Sequence, residues 1–269
     1  SAQSKSVCRV RDPYHQEQRE RRSRQDKKEI PTKVLAYTPR RSARFPISLI
    51  FSREIPISHR DLSRNLGVGL AIHKNCHLFA IMGGKGGVGK SVFSANFACA
   101  LMMELRARVL LMDLDPKSCG DQNVITGLRP QKTVADLANF NNSITPQALN
   151  SIVTKHQSGL HFIGAVESPD QNLEVSASVL RRQLFPVSQH YQFIVVDLGS
   201  GVHELQLSLL EDVSAGIVVT TPEVLVINQT RKFMNELLSA TVPQELLQVV
   251  VNRSSKNALN PQAISQSLK

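Results

Sequence analysis

The stretch "IMGGKGGVGKSVF", Ile81 to Phe93, decides the fold of this chain. Within it, residues 84–91 match the phosphate-loop pattern G-x-x-x-x-G-K-[ST]. An apolar strand pattern precedes the glycines and a helical pattern follows them, as this motif requires. The glycines let backbone N–H groups converge on phosphate oxygens without side chains in the way. The stretch therefore predicts a phosphate-binding loop at the start of a helix, whose dipole also favours anions.

Two lysines lie in this loop, although holding phosphates needs only one of them. Lys90 is at the position that reaches the β- and γ-phosphates of a nucleotide, and Ser91 is at the position that ligates Mg²⁺. Lys85 is the additional charge. We therefore expect ATP and Mg²⁺ as ligands. The run assigned to the nucleotide site is continuous and comprises Gly84, Lys85, Gly86, Gly87, Val88, Gly89, Lys90, Ser91 and Val92.

From Cys76 onward, short apolar runs alternate with longer helical patterns. Most of these runs are nearly continuous in apolar residues, as expected for strands buried on both faces of a parallel sheet. The pattern predicts an α/β fold with a doubly wound, mostly parallel sheet and helices on both faces. The strand candidates are "HLFAIMG", "RVLLMDLD", "LHFIGAV", "FIVVDLG", "GIVVTT" and "LQVVVN", and the helix candidates are "SVFSANFACALMMEL", "TPQALNSIVTKH", "LEVSASVLRRQLF" and "LVINQTRKFMNELL".

Carboxylates lie at the ends of two of these strands. Asp113 and Asp115 end "VLLMDLDP", and Asp197 ends "FIVVDLG". Ligands of α/β sheets bind at the carboxyl ends of the strands, and Asp197 is placed as a Walker-B-type ligand of Mg²⁺. Each aspartate alone could be a turn or capping residue. Their occurrence together after a phosphate loop favours a metal site, for which we predict Ser91, Asp113 and Asp197.

The positive charge of the chain is concentrated at its N-terminal end. Residues 1–75 contain 17 Lys/Arg and 7 Asp/Glu, whereas residues 76–269 contain 15 of each. The first 30 residues have too few large apolar groups to offset the entropy of ordering. We therefore divide the chain into a basic segment, 1–75, that is poorly structured or an adaptor, and an ATPase domain, 76–269. A basic arm for nucleic acid or anionic lipid is the alternative to a solvated tail.

Cysteine usage and hydropathy exclude several classes of protein. The four cysteines, Cys8, Cys76, Cys99 and Cys119, contain no C-x-x-C pair, which argues against a disulfide framework or a zinc site. Reduced thiols are typical of a cytoplasmic protein. No apolar run approaches the ~20 residues that a membrane-spanning helix needs.

The motifs resemble those of the MinD/ParA ATPases. "KGGVGKS", with its early lysine, is similar to their deviant Walker A motif, and "VLLMDLDP" and "FIVVDLGSG" look like the two motifs that follow. The resemblance covers residues 76–269. Within this family the middle of the chain most resembles the CpaE/TadZ branch, which serves assembly and polar placement of type IV (Flp/Tad) pili. The segments concerned are "KTVADLANF", "TKHQSGLHFIGAVESPD" and "DLGSGVHELQLSLLEDVSAGIVVTTPEVLVINQTRKFM".

The resemblance implies roles for single residues. Lys85 would reach across a nucleotide-sandwich dimer to the phosphates of a second copy, and Asp115 would orient the attacking water. With Lys90 these are the predicted catalytic residues. Asn252, with Arg253 beside it, matches the position that commonly recognises adenine. The family also implies a further strand and helix, so the C-terminus is a candidate for truncation.

The leading hypothesis is an ATP-hydrolysing switch that dimerises on ATP binding and assembles or positions a cell-surface machine. Among such machines, the resemblance favours a type IV pilus. Its expected partners are a second copy and proteins of a pilus or secretion machine. Its expected location is the cytoplasm, at the cell pole or the inner membrane surface. The alternatives are a partition or positioning ATPase that binds DNA or membrane, and an ATP-locked scaffold with negligible turnover. An iron–sulfur carrier is disfavoured because the paired cysteines are missing.

Overall fold

The computed structural model describes residues 34–36, 72–115, 117–140, 144–167, 175–254 and 260–268. They all lie in the second of the chain's two compact units, Ser1–Pro31 and Thr32–Lys269. Within these residues, eight strands form one sheet. They are β1 (Val34–Ala36), β2 (His77–Gly83), β3 (Val109–Asp113), β4 (Thr154–Lys155), β5 (His161–Ile163), β6 (Phe193–Ser200), β7 (Ala215–Thr220) and β8 (Leu247–Val251).

The sheet has the spatial order β1-β8-β7-β2-β6-β3-β5-β4. Each neighbouring pair is parallel except β4 with β5, which is antiparallel. The strand before the glycine loop, β2, therefore lies between β7 and β6, near the middle of the sheet. The strand order reverses around it, and this is where ligands of open α/β sheets bind.

Helices connect the strands in the described part of the chain. They are α1 (Lys90–Leu105), α2 (Asp121–Thr126), α3 (Val134–Ala138), α4 (Pro146–Ile152), α5 (Ala177–Ser188), α6 (Glu204–Leu210), α7 (Val224–Ser239) and α8 (Pro261–Ser267), with a short 3₁₀ helix at Gln244–Leu246. Thr145 caps α4 by accepting a hydrogen bond from the Ala148 N–H, and Pro146 occupies its first turn, as the sequence predicts.

Two apolar cores cover the two faces of the sheet. Along β2, Leu78 and Met82 lie in one core, whereas Phe79 and Ile81 lie in the other, because successive side chains of a strand point to opposite faces. Phe97 of α1 packs edge-on against Phe79, with ring centroids 5.3 Å apart. This contact fixes α1 on β2 and so holds both ends of the glycine loop. The predicted doubly wound, mostly parallel α/β fold is confirmed.

All six predicted strands and all four predicted helices are present, with one change of type. The pattern "TPQALNSIVTKH" predicts a helix to residue 156, but α4 ends at Ile152. Val153 is extended, and Thr154 then pairs with Phe162 across the antiparallel strands. The two β-branched residues in succession favour this extended backbone.

The basic segment 1–75 contributes at least one element to the sheet. Val34–Ala36 pairs in parallel with β8, at the register of Val34 with Val249. Ile72 is buried in one of the two cores. Most of the segment lies outside the described residues, so its predicted disorder and its predicted basic arm stay predictions.

Candidate functional site

The glycine loop connects the end of β2 to the start of α1. Gly87 and Gly89 have φ angles of 77° and 92°, a left-handed backbone that favours glycine. A Cβ on Gly89 would lie 2.5 Å from the Asn252 amide nitrogen, so the loop also lies too close to the end of β8 for a side chain. The residues between β2 and α1 thus form a tight loop whose concave side carries backbone and no bulky side chains.

The two lysines of the loop are placed differently. Lys90 is only 6% exposed, and its ammonium donates a hydrogen bond of 3.2 Å to the carbonyl oxygen of Lys85. A buried ammonium needs an anionic or polar partner, and a phosphate held in the loop would supply one. Lys85 itself is exposed. The structure therefore separates a buried lysine that bonds its own loop from a lysine whose side chain is exposed to solvent.

Asp113 and Asp197 lie side by side. They are register partners of the parallel strands β3 and β6 and are almost fully buried. Burial, and then the neighbouring Asp197 carboxylate, raise the pKa of Asp113 to about 8. Burial likewise raises the pKa of Asp197, against hydrogen bonds from Ser91 and Gln122 that lower it. Two adjacent buried carboxyls favour a cation between or near them.

Asp115 follows Asp113 at the same edge of the sheet. One of its oxygens, Oδ1, accepts hydrogen bonds from the backbone N–H groups of Lys117, at 2.8 Å, and Ser118, at 3.2 Å. The carboxylate packs on Gly199, where a Cβ would lie 2.1 Å from the Asp115 carboxyl carbon. Gly199, at φ 71°, thus makes room for Asp115 next to the Asp197 strand. Backbone N–H groups thus hold the predicted catalytic carboxylate of Asp115 through Oδ1, and Oδ2 accepts no hydrogen bond from another described residue.

The structure brings four of the predicted residues together where the glycine loop enters α1, and they are Ser91, Asp113, Asp115 and Asp197. Ser91 lies in the first turn of α1 and lowers the pKa of Asp197, and the Ser94 hydroxyl of the same helix donates a hydrogen bond of 3.3 Å to Asp197 Oδ2. Oxygen donors of this kind suit Mg²⁺, which keeps several waters and binds through few carboxylates and substrate phosphates. Among the described residues, no group of three or more His, Cys, Asp or Glu side chains is arranged to hold a metal ion.

An open cavity of about 440 Å³ lies on the other side of the loop. Lys85 is in its wall together with the exposed apolar pair Val224 and Leu225 at the start of α7. The complete lining is Lys85, Gly86, Gly87, Val88, Thr221, Glu223, Val224, Leu225, Val226 and Arg253.

The predicted adenine pair is divided between two environments. Arg253 lines the cavity. Asn252 is instead nearly buried against the glycine loop, where its amide nitrogen donates to the Val88 carbonyl oxygen at 2.9 Å. Val92, the last residue of the predicted run, lies outside the cavity on the first turn of α1 and is about half exposed.

One residue of this site carries no signal in the sequence. Gln122, in the six-residue helix α2, is fully buried and donates from Nε2 to the Asp197 carboxylate at 2.8 Å. A helix this short shows no periodicity that separates a buried polar residue from an exposed one. Gln122 is recognised only once the fold places α2 against the start of α1.

A family model matches residues 74–266, and it is described as "ParA: NUBPL iron-transfer P-loop NTPase". The chain is a ParA-family P-loop NTPase. The septum site-determining protein MinD of Thermotoga maritima is 24% identical over 179 residues, which are 66% of this chain and 64% of that protein. An iron-sulfur cluster carrier protein of Pseudomonas fragi is 29% identical over 196 residues, 68% of this chain and 62% of its own length. The chain thus spans a little under two thirds of these relatives.

Solved structures share the fold. A ParA family ATPase from Chlorobium tepidum has a TM-score of 0.65 at 22% identity, covering 71% of this chain and 80% of its own. The Aquifex aeolicus MinC:MinD cell division protein complex has a TM-score of 0.59 at 23% identity, and the match covers 72% of this chain and 78% of that chain. MinD from Pyrococcus horikoshii, solved with Mg-ADP, has a TM-score of 0.52 at 20% identity, and the match covers 71% of this chain and 77% of that chain.

Among the described residues, no helix combines the length and the apolar character that crossing a membrane requires.

Proposed function

We propose that this ParA-family NTPase is an ATP-dependent dimerising switch that positions or partitions another cellular component. The observation that carries the proposal is the separation of the two lysines. Lys90 is folded into its own loop, whereas the exposed Lys85 stands in the wall of the open cavity. An ammonium in that position is available to the phosphates of a nucleotide held by a second copy.

Each group of the site has a part in hydrolysis under this proposal. Lys90 and the loop N–H groups bind and orient the phosphates, because phosphoryl transfer depends on positioning and charge neutralisation. Ser91, Asp113 and Asp197 would hold Mg²⁺, which would supply neutralisation of phosphate charge. The Asp115 oxygen Oδ2, which accepts no hydrogen bond from another described residue, orients the attacking water. The lysine of the second copy adds positive charge late, as an arginine finger does.

The relatives support this class of function. Those named above include MinD proteins, of which one is solved with Mg-ADP and another in a complex with MinC. ATP, Mg²⁺, a second copy and a protein partner are accordingly the ligands that we propose. The test is ATP hydrolysis by the full chain together with its sedimentation in ATP and in ADP. We expect slow hydrolysis and a dimer in ATP alone, both lost in Lys90→Ala; a monomer in both nucleotides would contradict the proposal.

The narrower role in type IV (Flp/Tad) pilus placement, at the cell pole or the inner membrane surface, rests on the sequence resemblance of the middle segments. The named relatives are of other kinds. Deletion of the gene in its own host tests this role. Loss of surface pili, restored by the wild type and not by Lys85→Ala, is the expected result. Normal piliation after deletion would rule it out.

DNA binding of the partition type has one supporting observation, the net charge of +10 on residues 1–75. Clustered Lys and Arg give non-specific affinity that falls steeply with salt. Filter binding of the full chain to random DNA at two salt concentrations, with ATP present, is the test. Retention at low salt alone would support partition on DNA, and no retention at low salt would exclude it.

Iron–sulfur transfer appears in the description of the family model and in the names of several relatives, among them the carrier protein of Pseudomonas fragi. We do not propose it for this chain, because its sequence contains no C-x-x-C pair to bridge a cluster between two copies.

A scaffold that binds ATP without turnover remains the non-enzymatic alternative. Equal single-turnover rates for the wild type and Asp115→Ala would favour the scaffold.

A further inference from the structure

Gln122 connects three separate parts of the site. Its amide nitrogen Nε2 lies 2.8 Å from Asp197 Oδ2 at the end of β6 and 2.9 Å from the Ser91 carbonyl oxygen in the first turn of α1. It also lies 2.7 Å from the Ser94 hydroxyl one turn further along α1. Gln122 itself belongs to α2, which follows β3, the strand that ends at Asp113. One side chain therefore joins α2 to the first turns of α1 and to the end of β6.

The surrounding acceptors fix the orientation of this amide. If the amide were reversed, Oε1 would face a carboxylate oxygen and a backbone carbonyl oxygen, both of which repel it. In the orientation observed, Oε1 is buried without a hydrogen-bond partner among the described residues. Leaving a buried acceptor unpaired is unfavourable. The hydrogen bonds that Gln122 donates to Asp197 and to Ser91 thus outweigh the cost of leaving its oxygen unpaired.

We infer that Gln122 is a positioning residue that holds the Asp197 carboxylate and the first turn of α1 in the arrangement that binds Mg²⁺ with the nucleotide. The inference rests on the function proposed above, since it concerns the same site. Gln122 contacts both Ser91 and Asp197, two of the three predicted metal ligands. The third is fixed by the same segment, because the N–H of Gly120 donates to Asp113 Oδ2 at 3.2 Å.

Another buried glutamine provides a matched control. Gln206 of α6 is also fully buried, and its Oε1 also has no hydrogen-bond partner in the described part of the chain. Its amide nitrogen contacts the Met82 sulfur at 3.4 Å, away from the carboxylates. A change from Gln to Leu at either position removes the same polar group from the interior, but only Gln122→Leu removes donors from Asp197.

The test measures binding of ADP by calorimetry, with saturating Mg²⁺ and with EDTA, so it does not depend on hydrolysis. For Gln122→Leu we expect the gain in ADP affinity due to Mg²⁺ to fall by about tenfold, in the range for groups that orient metal ligands. ADP affinity in EDTA should stay at the wild-type value. Gln206→Leu should keep the full Mg²⁺ gain, whatever it does to the melting temperature.

The isosteric Gln122→Glu provides a second variant, because it keeps the side-chain size and turns an oxygen toward Asp197. We expect it to lose the Mg²⁺ gain as well. A wild-type Mg²⁺ gain in either folded Gln122 variant would overturn this inference alone. Equal loss in Gln122→Leu and Gln206→Leu would also overturn it, since the effect would then be general. Absence of ADP binding by the wild type would overturn the proposed function, and this inference with it.

Discussion

Asn252 donates a hydrogen bond of 2.9 Å from its amide nitrogen to the carbonyl oxygen of Val88, and so ties the end of β8 to the glycine loop. Its oxygen accepts from the backbone N–H of Arg253, also at 2.9 Å. The residue predicted to recognise adenine thus braces the loop in this structure, whereas Arg253 faces the cavity. Loop geometry and base contacts are therefore expected to depend on different residues.

Asn252→Ala should weaken ATP and GTP binding by the same factor, about tenfold for one lost buried hydrogen bond. The reason is that the loop, shared by both nucleotides, loses its brace. Competition binding with the two nucleotides measures this, and the melting temperature of the nucleotide-free protein should also fall. Arg253→Ala is the control, because it should alter nucleotide affinity with little change in melting temperature. A changed ATP-to-GTP ratio in Asn252→Ala would instead support direct recognition of the base by Asn252.

Gly89→Ala should destabilise the nucleotide-free protein. The backbone of Gly89 has a φ of 92°, which strains any residue with a side chain. A Cβ there would also lie 2.5 Å from the Asn252 amide nitrogen, so backbone strain and a steric clash combine. We expect a loss of about 1–3 kcal/mol in urea unfolding. Gly86→Ala in the same loop should change stability by less than about 0.5 kcal/mol, because a Cβ there meets nothing within 4 Å. Equal losses in the two variants would show that the described loop geometry is wrong.

The stability of the metal-free protein should fall as the pH rises from about 4 to about 8. Below this window Asp113 is protonated in both the folded and the unfolded chain. Within it the unfolded chain releases the proton, whereas the folded chain keeps it, because burial and Asp197 raise the pKa of Asp113 from 3.8 to about 8. Unfolding is thus favoured by up to about 1.4 kcal/mol per pH unit.

Asp113→Asn removes this titration, so the variant should unfold at a higher temperature than the wild type at pH 8 in EDTA. Thermal melts at pH 5 and pH 8 provide the comparison. The difference between variant and wild type should shrink at pH 5, because the unfolded chain gains little by releasing the Asp113 proton so close to its ordinary pKa of 3.8. A variant less stable than the wild type at pH 8 would contradict the assigned pKa shift.

The sequence predicts the parts of this fold that are encoded locally. The six runs that form strands are apolar over consecutive residues, and the glycine loop has a fixed spacing of residues, so both can be read from short windows. Asp113, Asp115 and Asp197 follow from their positions at strand ends. The short elements α2, α3, α6, α8, β1 and β4 have too few residues to show a period, so the sequence pattern does not predict them.

Contacts between distant residues are the part of the site that could not be predicted. Gln122 and Asp197 are 75 residues apart in the chain, and Val88 and Asn252 are 164 apart. Polar side chains at such separations meet only because strand order and helix packing bring them together. The family resemblance supplied the position of Asn252, and the fold supplied its contact with Val88.

Under the proposed function, ATP is bound between two copies through Lys85. Sedimentation velocity of the full chain with saturating ATP and Mg²⁺, for the wild type and for Lys85→Ala, measures this dimerisation. We predict a dimer for the wild type and a monomer for Lys85→Ala, with ATP binding to the variant retained because Lys90 and its loop are intact. A Lys85→Ala chain that binds ATP, dimerises and hydrolyses it as the wild type does would contradict the account.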